Sequence, residues 1–235
     1  DVDETETVPY IGATYLLRDS LMVYSSYSEV FNAQTWVDEN LDPLGPVRGE
    51  STELGIKQEL GGGQAVISLA VFESRQENFG EYVGRDANTQ LALYRGTEFE
   101  SRGYELELSG QVLPGLNISA GYTDLSIEDA EGEATRRFVP TQLFRLSTAF
   151  QPQALPALRV GASLNWQNEL HVGGGEGQDR LTLVDVFASY DLAPGLALGM
   201  NINNLTDEQY LNSPQWGQAY YGAPRNVQGS LTWRY

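Results

Sequence analysis

The last forty residues, 196–235, restrict the possible folds more than any other stretch of the chain. Leu196, Leu198, Met200 and Ile202 alternate with Ala197, Gly199, Asn201 and Asn203. Val227, Gly229, Leu231, Trp233 and Tyr235 alternate in the same way with Gln228, Ser230, Thr232 and Arg234. Successive side chains of a strand leave on opposite faces, so each segment has one apolar face and one face of small or polar residues. A soluble β-sandwich has this period too. Here Trp233 and Tyr235 sit together at one end of the apolar face, and Asn, Gln, Ser, Thr and Arg run the whole length of the other. That is the arrangement of a transmembrane barrel strand, with lipid on one side, water on the other and an aromatic girdle at the interface.

Several segments then carry a resemblance. NNLTDEQY at 203–210 and YGAPRNVQGSLTWRY at 221–235 are similar to the closing hairpin of TonB-dependent outer-membrane receptors, most of all those for ferric siderophores. YSSYSEVFNAQ at 24–34, ESTELGIKQEL at 50–60 and SRGYELELSGQVLPGLNISAGYT at 101–123 resemble successive barrel strands of that family, in the family's order. The usual strand-end pattern has Phe where this chain has Thr206. No plug domain, energy-coupling box or signal peptide is found within residues 1–235, so the expectation is one domain, 1–235, forming the C-terminal portion of the barrel.

Composition is consistent with this reading. The chain has 235 residues, a net charge of −18 and no Cys, with a mean hydropathy of −0.33. No apolar run approaches the roughly 20 residues a membrane helix needs. A negative hydropathy leaves a barrel open, because only alternate residues face lipid. Without Cys there are no disulfides or thiolate metal sites. Phosphate binding needs clustered Lys and Arg, so the acidic balance excludes nucleic acid as a partner.

Strands are expected from Val8, from Leu21, over 50–60, from Gln64, around Tyr104, from Leu116, around Leu146, over 158–166, over 181–192, and in the two segments above. Short turns (Arg18-Asp19-Ser20, Gly61-Gly62-Gly63, Pro114-Gly115, Pro194-Gly195) alternate with long polar loops, one of them expected from Gly84 to Gly96. The fold class is therefore all-β, a transmembrane antiparallel barrel of about eleven strands. Short turns are periplasmic and long loops extracellular in such barrels, so the first strand runs from outside inward. Complete bacterial barrels have an even strand number, and receptors of the resembled family have about 22. Eleven strands correspond to the C-terminal half, an open curved sheet in isolation.

Candidate site residues follow from the loops. Trp36 and Tyr94 are expected in outer loops, and Trp216, Tyr220 and Tyr221 at the tip of the last hairpin. Aromatics with a polar tip suit large, flat, partly apolar ligands; a membrane-interface girdle or packing within the loops is the competing assignment. His171 is the only His, which leaves no His-based triad or multi-His metal site. The glycine runs at 61–63 and 173–177 lead into no helix and suit turns, not phosphate cradles. Glu128, Asp129, Glu131 and Glu133 lack calcium-loop spacing and read as a solvated loop.

The resemblance implies a non-enzymatic receptor with no cofactor, importing ferric siderophores across the outer membrane. Its implied partners are the siderophore, the TonB-ExbB-ExbD complex, outer-membrane lipid and lipopolysaccharide, and the barrel assembly machinery, for which Tyr235 would be the terminal signal. A charge of −18 would repel strongly anionic chelates and favours a neutral or cationic carrier such as a hydroxamate. A passive porin-type channel is the alternative function.

Overall fold

The computed structural model describes residues 6–171, 177–212 and 220–234. It is all-β, with strands β1 (Tyr10–Arg18), β2 (Leu21–Asn32), β3 (Val47–Leu60), β4 (Ala65–Arg85), β5 (Ala92–Leu113), β6 (Leu116–Asp129), β7 (Gln142–Phe150), β8 (Leu158–Gln167), β9 (Leu170–His171), β10 (Gly177–Gln178), β11 (Leu181–Ala193), β12 (Leu196–Asn203), β13 (Leu211–Asn212), β14 (Tyr220–Tyr221) and β15 (Asn226–Trp233). Eleven of them form one sheet in the order β1-β2-β3-β4-β5-β6-β7-β8-β11-β12-β15, and β9-β10 and β13-β14 make two-residue ribbons within loops. The expected strand number and the nearest-neighbour meander both hold.

The loop from Gly84 to Gly96 expected between β4 and β5 is corrected. Both strands run on into it and leave only residues 86–91 as a connection, so Tyr94 lies in β5 and not in a loop. At Gly96 the glycine marks close approach rather than a turn. A Cβ on Gly96 would collide with the Asn78 side chain, and one on neighbouring Gly80 would enter the Trp36 ring. β4 and β5 have 21 and 22 residues, about twice the 9–11 that cross a bilayer. Their outer halves therefore project beyond the membrane.

The contacts divide the chain into two compact units. In the unit that holds β7, β8, β11, β12 and β15, the register carries one apolar face from strand to strand. Ile118, Thr148, Ala162, Val186, Ile202 and Val227 form one row, and Phe150, Val160, Ala188, Met200 and Gly229 the next. Leu164 pairs with Leu146 and Val184, and Leu198 with Leu231 and Tyr190. At the loop end of this face Tyr122, Phe144 and Trp166 stand side by side. At the turn end lie Phe150, Tyr190 and Trp233, the last opposite Leu196. Two aromatic belts enclosing an aliphatic band are what a bilayer selects. The opposite face carries Asn117, Ser119, Arg145, Ser147, Ser163, Asn165, Ser189, Asn201, Gln228 and Ser230.

In the other unit the apolar face shows Leu54, Val71 and Tyr104 exposed at 56%, 50% and 41%. Farther toward the loops it turns ionic, with Arg75 paired to Glu98 and Arg102 to Glu73 and Glu100. On the other side of the wall the Tyr24 hydroxyl donates to Glu53 (2.5 Å), and its ring covers Gly55.

Candidate functional site

The loop between β2 and β3 is fastened to β4 through one irregular residue. Asn78 adopts a left-handed backbone (φ +57°) inside the strand. Its amide donates to the carbonyls of Gly45 (2.7 Å) and Pro46 (3.2 Å), and buried Gln34 donates to the carbonyls of Gly45 (2.5 Å) and Asn78 (2.8 Å). The irregularity shifts side-chain alternation by one residue. Before it Arg75 shares a face with Glu98, and after it Phe79 meets Phe99, which alternates to the other side of β5. Strand parity alone would have put Phe79 on the wrong face.

With the loop so held, Val37 bridges to Leu93 and its carbonyl accepts from the Tyr94 amide (2.9 Å). This lays the Trp36 ring flat on Tyr94, with centroids 4.5 Å apart and planes at 10°. Tyr82 meets Tyr94 edge-on at 6.0 Å, Trp36 meets Phe79 at 6.4 Å, and Phe79 meets Phe99 at 5.8 Å. Two residues singled out from the sequence, Trp36 and Tyr94, are thus brought together in a run of five rings.

Arg136 ends the run and was not foreseen. Its guanidinium carbon lies 4.3 Å from the Phe79 centroid and 4.0 Å from that of Phe99, a geometry in which ring quadrupoles attract the cation. The side chain is only 14% exposed, and its nearest carboxylate, Glu81, is 3.6 Å away. Burial lowers its pKa from the usual guanidinium value, and Glu81 partly offsets this. Arg136 lines a cavity of about 510 Å³ with Glu81, Arg95, Thr97, Phe99, Asp129 and Glu131. Arg95, Thr97 and Phe99 alternate with Tyr94, Glu98 and Tyr104 along β5, so the cavity opens on the polar side of the wall, the side that lines the lumen in a barrel.

The last hairpin is built around Asn204, 5% exposed with φ +50°. Its amide N–H donates to Asp185 (2.8 Å), its side chain donates to the carbonyls of Glu208 (2.8 Å) and Ala223 (3.1 Å), and its Oδ1 accepts from the Glu208 N–H (2.8 Å). Asp207 accepts from the Arg225 N–H (2.9 Å). The NNLTDEQY segment is therefore a polar knot that closes the base of the loop. Above it β13 and β14 pair Leu211 with Tyr221 and Asn212 with Tyr220. Tyr220 and Tyr221 stand 72% and 71% exposed. Trp216 and Tyr235 lie outside the described residues.

The acidic loop has a structural use. Asp129 Oδ1 accepts from the N–H groups of Glu131 (3.1 Å) and Glu133 (2.9 Å), so that oxygen is committed to the loop tip. Among the described residues no three His, Asp or Glu side chains gather into a metal-binding set.

The profile of the family described as "TonB dependent receptor-like, beta-barrel" matches residues 1–205. The chain belongs to the TonB-dependent receptors. Among relatives of this receptor barrel, the ferripyoverdine receptor of Pseudomonas aeruginosa is 34% identical over 244 residues, covering 96% of this chain and 30% of that protein. The ferrioxamine B receptor of Salmonella typhimurium is 30% identical over 257 residues, covering 100% of this chain and 35% of that protein. In three dimensions the chain superimposes on the ferripyoverdine-bound receptor of the Pseudomonas aeruginosa outer membrane with a TM-score of 0.85 at 32% identity, over 96% of this chain and 32% of that one. The TonB-dependent receptor chain thus spans about three tenths of the length of that first curated relative.

Proposed function

We propose that these residues are the C-terminal barrel portion of an outer-membrane receptor that imports a ferric siderophore with energy supplied through the TonB-ExbB-ExbD complex. The observation that carries the reading is the ring run Tyr82–Tyr94–Trp36–Phe79–Phe99 on strands that project past the bilayer, in a barrel related to ferripyoverdine and ferrioxamine B receptors. Rigid aromatics bury a large chelate at small entropic cost. Trp36, Tyr94, Trp216, Tyr220 and Tyr221 are the proposed ligand contacts. Bond chemistry has no part in this function.

Lipopolysaccharide and outer-membrane lipid would border the apolar band. Tyr235 would be read by the barrel assembly machinery.

The test uses the receptor that carries this barrel, titrated with ferric chelates of the hydroxamate, catecholate and mixed peptide classes, beside surface abundance of heat-modifiable protein. Alanine at both Tyr220 and Tyr221 should weaken binding and leave abundance unchanged. Deleting Tyr235 should reduce abundance and leave the affinity of the assembled fraction unchanged. The reading fails if no chelate binds, or if the two variants exchange these effects.

A further inference from the structure

Three costs fall on Arg136. Its backbone is left-handed (φ +50°), a conformation that disfavours any residue with a Cβ. Its guanidinium is largely withdrawn from water between two phenyl rings. Its Nε and Nη2 atoms are buried and have no hydrogen-bond partner. Glu81, at 3.6 Å, is too far to accept a hydrogen bond. A buried donor left unmade costs more than an average bond contributes. A brace for the loop could be supplied at less cost by a Leu or Met, which would fill the space between Phe79 and Phe99 without a charge.

What an aliphatic residue cannot supply is a planar set of donors beside an open cavity. The cavity's other charges define what those donors can meet. Glu81, Asp129 and Glu131 line it together with Arg95 and Arg136, and Arg95 is already paired with Glu39 at 2.5 Å. The balance is acidic, which repels a multiply anionic chelate. A neutral ligand rich in carbonyl-type oxygens escapes that repulsion and still presents acceptors.

We propose that the cavity beside Arg136 is a ligand subsite in which the guanidinium, held over the rings of Phe79 and Phe99, donates to hydroxamate or amide oxygens of a ferric chelate without net negative charge. The proposal rests on the receptor function above and names its substrate class. Glu81 holds the guanidinium loosely and yields it to the ligand. Glu81 is thus a competitor of the ligand, a role that a structural brace would not have.

The experiment measures binding of a neutral ferric trihydroxamate and of an anionic ferric tricatecholate to the receptor and its variants. Arg136→Lys keeps the charge and loses the planar fork, and should weaken trihydroxamate binding about tenfold. Glu81→Gln removes the competing carboxylate without disturbing the ring stack, and should tighten it several-fold. Wild-type receptor should prefer the trihydroxamate. Arg136→Lys and Glu81→Gln both within twofold of wild type, or both weaker, would leave Arg136 as a brace only and overturn the subsite. Preference for the tricatecholate would overturn the substrate class. Failure of both chelates and of a mixed peptide chelate to bind wild type would overturn the receptor function itself.

Discussion

Replacing Met200 by Arg tests which face of the wall meets lipid. Met200 lies opposite Ala188 and Gly229 and is 47% exposed on the aliphatic band. Trp233, in the turn-side aromatic belt, pairs with Leu196, four residues back along β12. Four residues advance roughly 14 Å along a strand, and a tilt of about 40° reduces this to roughly 10 Å of depth. The apolar band is about 25 Å tall, so Met200 sits near its midplane. Arginine there costs about 2–4 kcal/mol, which at about 1.4 kcal/mol per decade shifts the folding equilibrium roughly a hundredfold. Asn201 is the matched control. It is the next residue of the same strand, paired with Phe187 and Gln228 on the polar face, where Arg stays solvated and should cost less than about 1 kcal/mol. Equilibrium unfolding by guanidinium in lipid vesicles, with gel mobility of unheated samples as the folding readout, gives both numbers. Equal costs, or a larger cost at Asn201, would place the register off by one and reverse the lipid and lumen faces of β12.

Three further outcomes follow from local geometry. Residues 38–42 and 129–133 form the same five-residue tip: Asp38 and Asp129 each accept from the N–H groups two and four residues on, with left-handed Leu41 (φ +67°) and Gly132 (φ +82°) in the fourth place. Leu41→Gly should relieve about 1 kcal/mol of strain and slow hydrogen exchange of the Asp42 amide, whereas Gly132→Leu should speed exchange at Glu133. Asn204→Ala removes three side-chain hydrogen bonds worth about 1 kcal/mol each; chelate affinity should fall through displacement of Tyr220 and Tyr221, while Asn203→Ala has a smaller effect. Asp86 accepts from the Thr89 N–H (2.7 Å) and hydroxyl (2.8 Å) and from the Asn88 N–H (3.1 Å), chiefly the first of which lowers its pKa. A depressed carboxylate stabilises above its unfolded value of about 4 and loses that contribution as pH falls through the folded one, so protection of the Thr89 amide should decline below roughly pH 4 and be pH-independent in Asp86→Asn.

The meander was legible because its signals are local. Alternation at Leu196–Ile202 and Val227–Trp233 records the two solvents directly, and short turns such as Pro194-Gly195 separate the strands. The outer ends of β4 and β5 are hidden in the sequence because Gly84 and Gly96 look like turn residues, whereas Gly96 is a strand glycine beneath the Asn78 side chain and Gly84 a strand glycine in open space. Trp36 and Tyr94 could be chosen by type, but their stacking depends on Gln34 and Asn78, partners 44 residues apart. Arg136 left no trace in the sequence. Its significance comes from a left-handed backbone, from two phenylalanines on different strands, and from an alternation shift at Asn78 that brings those two rings together. The polar knot at Asn204 was noticed as part of a resemblance, and its hydrogen bonds supply the physical reason for that segment's composition.

The proposed function is that of an energised importer and not of a passive pore. It is tested most directly by accumulation of radiolabelled iron from a ferric trihydroxamate in cells with and without the receptor, measured before and after a protonophore collapses the inner-membrane gradient. An energised importer gives receptor-dependent accumulation that saturates with chelate concentration, moves iron against its gradient and stops when the protonophore is added. Receptor-dependent entry that rises linearly with concentration and is indifferent to the protonophore would contradict it.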